Sequence, residues 1–130
     1  MPTFVREIDS LRLIVVTLSG DVTLYDLRSI DTRLANCTRE HDLFVVEEPR
    51  SRITASAAEL RDFAAADLVL SPASRRVIMA SEDMMFGLSR MYSMTATPTE
   101  SDVHVCKSLA EAADVFGPTE AQLREATRLD

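Results

Sequence analysis

Short runs of β-branched and aliphatic residues alternate along this chain with amphipathic stretches that begin at capping residues, and few folds accommodate that alternation. The clearest passage runs from Arg75 to Gly117. Val77-Ile78-Met79-Ala80 is apolar throughout, as a strand buried on both faces should be. Ser81 follows as a helix N-cap, with Glu82 and Asp83 at the positive end of a helix predicted to reach about Met94. Thr95 to Ser101, which contains Pro98, reads as a loop. Val103-His104-Val105-Cys106 is the next strand, and Ser108 with Glu111 has capping-box spacing for a helix that ends at Gly117.

The first half has the same grammar. Thr3 to Ile8 and Leu11 to Leu18 are β-rich segments separated by the turn-forming pair Asp9-Ser10, which predicts a hairpin. Within the second, Ile14-Val15-Val16 is a continuous apolar run. Ser19-Gly20-Asp21 breaks the strand. Thr23 then caps a helix, with Asp26 as the acidic half of a capping box and Leu24, Leu27, Ile30 and Leu34 as its inward stripe. Arg28, Asp31 and Arg33 fall outside that stripe. Leu43-Phe44-Val45-Val46 is a short buried strand ended by Glu47-Glu48-Pro49. A second helix is predicted from near Ala55 to about Ala66, with Ala57, Leu60, Phe63 and Ala64 inward, and Leu68-Val69-Leu70 continues apolar up to Ser71-Pro72.

The fold class implied is α/β: a mixed sheet with an N-terminal β-hairpin and helices packed on the sheet. Val77 to Ala80 is expected to be a central, buried strand. Residues 1–117 form one domain, and 118–130 form a polar helical tail with little to bury, expected to dock loosely or fray.

A chain of 130 residues supports one core. Its net charge of −7 works against nucleic acid as a partner, because phosphates demand a basic surface. Arg50, Arg52, Arg61, Arg75, Arg76 and Arg90 are interleaved with acids and read as a solvated mixed face. No run approaches the roughly 18 apolar residues of a membrane helix, and Met1 to Ser10 lacks the apolar segment of a secretion signal. Cys37 and Cys106, with no CxxC pair, point to reduced thiols and a cytoplasmic location.

Ala80-Ser81-Glu82-Asp83-Met84-Met85-Phe86-Gly87-Leu88-Ser89-Arg90-Met91-Tyr92 resembles a stretch of the SpoIIAA-like proteins, which are grouped with STAS and CRAL-TRIO lipid-binding domains. Val103-His104-Val105 with Leu109-Ala110-Glu111-Ala112 is similar to that family's closing strand and helix, and Gly20-Asp21-Val22-Thr23 to its approach to the first helix. The order of elements likewise looks like the STAS fold of bacterial anti-sigma-factor antagonists. The resemblance spans about Leu11 to Gly117 and implies a module for protein interaction or hydrophobic-ligand binding. Phosphorylated antagonists present Asp-Ser-Ser/Thr-Gly where this chain has Ser51-Arg52-Ile53-Thr54-Ala55-Ser56-Ala57. Thr54 and Ser56 are the candidate phosphoacceptors, yet the Asp-Ser pair and the glycine are missing, which speaks against that switch.

The residues carry no catalytic motif. His41 and His104 are the only histidines, far apart in sequence, and neither Cys37 with His41 nor Cys106 with a histidine makes a convincing metal or nucleophile set. No metal ligand and no cofactor is assigned. Glu47-Glu48 stands at a strand end, where open α/β sheets place function, but beside Pro49 and Arg50 the pair reads as solvated. No Gly-x-Ser-x-Gly elbow or glycine-rich phosphate loop is present.

Five of the six methionines fall between Met79 and Met94. Met84, Leu88 and Met91 make one helical stripe with Met85 and Tyr92 beside it. Methionine suits adaptable apolar surfaces, so the stripe is either core facing the sheet or the lining of a ligand crevice or subunit contact. Met84, Met85, Phe86, Leu88, Arg90, Met91 and Tyr92 are the candidate ligand or interface residues, with Arg90 as a head-group anchor at the rim. The reading is a non-enzymatic module that binds a protein partner or an apolar or amphiphilic small molecule, with a homodimer as one form such binding takes. Two alternatives stay open: a small enzyme using Glu47, Glu48 or Ser56, and a structural homodimer without a ligand.

Overall fold

The computed structural model describes residues 3–56, 58, 59, 62, 74–80 and 103–127. The predicted helix over 81–94 and the loop Thr95 to Ser101 lie outside the described residues, and of the predicted helix over 55–66 only residues 55, 56, 58, 59 and 62 are described. The chain is α/β, as its alternating pattern implies. Five strands form one mixed sheet: β1 (Thr3–Ile8), β2 (Leu13–Leu18), β4 (Asp42–Glu47), β6 (Arg76–Ala80) and β7 (Val103–Cys106), in that spatial order. β1 and β2 pair antiparallel; every other neighbouring pair is parallel. A separate two-residue ladder joins β3 (Asp21–Val22) to β5 (Arg52–Ile53). Among the described residues there are three α-helices, α1 (Leu24–Leu34), α2 (Leu109–Phe116) and α3 (Glu120–Ala126), and none is long and apolar enough to cross a membrane.

All six residues of β2 are buried, which explains the unbroken apolar run: both of its faces are covered. Ile14, Val16 and Leu18 face one layer, where Leu27, Ile30 and Leu34 of α1 cover them together with Val22. Leu13 and Val15 face the opposite layer with Phe44, Val46, Val77 and Cys106, beneath Ala112, Phe116, Leu123 and Ala126 of α2 and α3. Phe44 and Phe116 meet edge to face at a centroid separation of 5.6 Å, a preferred aromatic geometry. β6 is an interior strand between β4 and β7, as expected for the run Val77 to Ala80.

The helix ends follow the caps read from sequence, with one difference. Thr23 Oγ1 accepts from Asp26 N while Asp26 Oδ2 accepts from Thr23 N, a reciprocal capping box. At α2 only half of the box forms: Ser108 Oγ accepts from Glu111 N, but the Glu111 carboxylate accepts from Lys107 N instead. Gly117 ends α2 at φ 97°, a backbone conformation that glycine adopts without a Cβ clash. The β1–β2 connection is longer than Asp9-Ser10 alone. A 3-10 turn occupies Asp9–Leu11 and Arg12 adopts a left-handed φ of 51°, so β2 begins at Leu13 rather than Leu11.

The C-terminal segment departs from its polar appearance. Thr119 and Gln122 cap α3 reciprocally, and Leu123 at 0% exposure joins the main core with Ala126. One buried leucine among charged neighbours is enough to dock a helix of two turns. Leu123→Ala is expected to destabilise the fold by about 2–5 kcal/mol, the range for truncating a fully buried leucine. Urea denaturation of the full chain measures this; a loss below about 0.5 kcal/mol, as at ordinary surface positions, would return α3 to the status of a loose tail.

Candidate functional site

Parallel pairing gives the sheet two chemically different edges. At the carboxyl ends of β2, β4 and β6, Leu18 lies opposite Glu47 and Glu47 opposite Ala80. Glu47 is therefore flanked by a strand on each side and is only 4% exposed, and its side chain is engaged rather than free. This corrects the reading of Glu47-Glu48 as a solvated pair: the strand runs one residue further than Val46 and carries Glu47 with it. Glu48 is partly buried, with its N–H donated to Leu18 O at 2.9 Å.

The chain then turns through Arg50, which has a left-handed φ of 70°, and enters the small ladder. Arg52 N donates to Gly20 O and Thr54 N to Val22 O, both at 2.8 Å. Buried Ser51 closes the turn on Glu48 O through both its N–H and its hydroxyl. The two candidate phosphoacceptors follow. Thr54 Oγ1 donates to Val22 O. Ser56 Oγ accepts from Glu59 N at 3.1 Å while Glu59 Oε1 accepts from Ser56 N at 3.0 Å. Those bonds hold the Glu59 carboxyl below its usual range. A phosphate on Ser56 would sit beside that carboxylate, whose like charge repels it. Met84, Met85, Phe86, Leu88, Arg90, Met91 and Tyr92 lie outside the described residues.

The opposite edge gathers residues that sequence spacing kept apart. Leu13 pairs with Asp42, and Asp42 N donates to Arg12 O at 3.0 Å. His41 is thereby held against the β1–β2 turn. Its Nε2 lies 3.0 Å from Asp9 Oδ1 and 3.8 Å from Glu7 Oε2, and Glu7 Oε2 also accepts from Thr38 N at 2.7 Å. The ligand atoms of Glu7, Asp9 and His41 all lie within 4.8 Å of one another. The sequence separations, 34 and 32 residues, hid this cluster; only the register of β2 on β4 creates it. His104 is exposed on β7, and neither it nor Cys37 belongs to this three-residue group.

Burial is the main influence on both thiols. Burial pushes the Cys106 thiol from 9.0 up to about 11, and its Sγ contacts Ser108 O. Cys37 is raised by desolvation first and by the Glu7 carboxylate second. Burial also raises Asp31 on α1.

No family model matches the chain, and no curated protein or solved structure is significantly similar to it.

In the folded chain at pH 8, Ellman's reagent is expected to modify partly exposed Cys37 well before Cys106, which should react only when the chain is denatured. The folded Cys106 thiol loses its proton near 11 but the unfolded one near 9. The unfolded state therefore binds fewer protons between those values, and its contribution to stability falls as pH rises through that window. Denaturation series at pH 8, 9 and 10 should show that decline, and Cys106→Ala should flatten it. Equal slopes in the two proteins would reject the burial argument.

Proposed function

We propose that this chain is a non-enzymatic STAS-like module that binds a protein partner or an apolar or amphiphilic small molecule at the carboxyl edge of its sheet. The observation that carries the reading is the position of Ala80. β6 is an interior strand, and the methionine-rich segment beginning at Ser81 leaves it at the edge where open parallel sheets hold their ligands. Met84, Met85, Leu88, Met91 and Tyr92 recur in the sequence at the spacing of a helical stripe, and methionine adapts to varied apolar partners. Arg90 would anchor an acidic head group at its rim. The resemblance of residues 80–92 to SpoIIAA-like proteins supports the same reading, as does the mixed sheet with its N-terminal hairpin. With Ser56 committed to a capping pair, regulation by occupancy is favoured over phosphorylation.

Buried Glu47 beside Ala80 favours a second reading, a small enzyme that uses this carboxylate at the same edge.

The test is native mass spectrometry and light scattering of the purified chain beside Met91→Lys. The expected result is a retained small molecule or a dimer in the parent and its loss in the variant, with circular dichroism unchanged. A folded variant that kept both the oligomeric state and the bound molecule would remove this segment from the binding surface.

A further inference from the structure

We propose that Glu7, Asp9 and His41 form a binding site for one divalent transition-metal ion, independent of the function proposed at the other edge of the sheet. Two stretches of chain supply the donors: the end of β1 with the 3-10 turn that follows it, carrying Glu7 and Asp9, and the residue before β4, His41. His41 Nε2 lies 3.0 Å and 3.8 Å from the two carboxylate oxygens, separations that one cation can bridge at ordinary metal–oxygen and metal–nitrogen distances of about 2.0–2.2 Å, and all three ligand atoms lie within 4.8 Å of one another.

The arrangement is built rather than incidental. The His41 side chain is only 11% exposed, with Nε2 aimed at the two carboxylates. Asp42 N bound to Arg12 O and His41 N bound to Thr38 O fix the backbone on either side of the ring. Thr38 N orients the Glu7 carboxylate through Oε2. That is the outer-shell support that metal ligands ordinarily have. Two carboxylates brought this close repel each other, and the one Nε2 atom between them can serve at most one of the two with a proton. A cation at the centre would satisfy both acids and the ring together.

The donor set selects the ion. One imidazole with two carboxylate oxygens suits Zn2+, Mn2+, Fe2+ or Co2+ better than Mg2+ or Ca2+, which take oxygen donors. With three protein ligands and an Asp9 side chain 82% exposed, the remaining coordination positions would be filled by water or by a ligand from solution, as in open rather than closed sites.

The experiment uses the full chain after chelator treatment, titrated calorimetrically with zinc chloride and spectroscopically with cobalt chloride. The expected result is one equivalent bound, without the thiolate charge-transfer band that Cys37 would give. Asp9→Asn should weaken binding by about tenfold or more, at least the loss seen for outer-shell changes, and His41→Gln should abolish it, whereas Cys37→Ser should leave it unchanged. Absence of saturable binding, retention of full affinity in Asp9→Asn, or loss in Cys37→Ser would each overturn the proposal. Because Asp9 is exposed, its variant keeps the test decisive even if His41→Gln does not fold.

Discussion

The parallel pairing of β2 with β4, Leu13 on Asp42 through Leu18 on Glu47, is the constraint from which both edges of this molecule follow. A slip of one residue would turn Phe44 and Val46 out of the layer that they share with Phe116 and would exchange the faces of the whole strand. The same register seats His41 against the hairpin turn at one end and sinks Glu47 between neighbouring strands at the other. The apolar content of β2, buried along its full length, is what pins the pairing. The polar groups at the two ends therefore inherit their positions from aliphatic packing in the middle.

Charged side chains then fasten the helices to this sheet. Arg75 N and Nε donate to the two oxygens of Asp42, while Nη1 and Nη2 donate to Val115 O and Phe116 O at the end of α2. A guanidinium there satisfies carbonyls that a helix end leaves unpaired and complements the negative end of its dipole. Its carbon also sits 5.9 Å from the centre of the Phe116 ring, within the range of cation–π attraction. On the other face Arg33 of α1 donates to the carbonyl and hydroxyl oxygens of Thr3 on β1. Each helix layer is thus held by apolar burial in its middle and by an arginine at its margin.

Much of this architecture was legible because its causes are local. Thr23 with Asp26, Ser108 with Glu111 and Gly117 announce helix ends within a few residues, and Ile14-Val15-Val16 declares a two-sided strand without reference to anything distant. Thr119 with Gln122 and the pair Leu123 and Ala126 carried the same kind of signal for α3, outweighed in the sequence reading by the charges around them. The site chemistry was harder to see because it is non-local. Nothing near His41 in the chain points to Glu7 and Asp9, and nothing near Glu47 shows that β6 will lie alongside it. Glu47 was misjudged from its neighbours Glu48, Pro49 and Arg50, which leave the sheet while Glu47 stays within it.

The spatial order of the five strands is also their order along the chain. During synthesis each new strand of the main sheet can add to one that already exists, so the sheet can grow from a single advancing edge. Its cover is less evenly timed. α1 emerges between β2 and β4, but the described helices that shield Leu13, Val15, Phe44 and Val77 come last of all. Phe116 and Leu123, part of that face's cover, are made after all five strands, and partly exposed sheets of this kind are where nascent chains stick to one another. The final helix, which looks dispensable from its composition, is in this sense the chain's protection against its own half-made core.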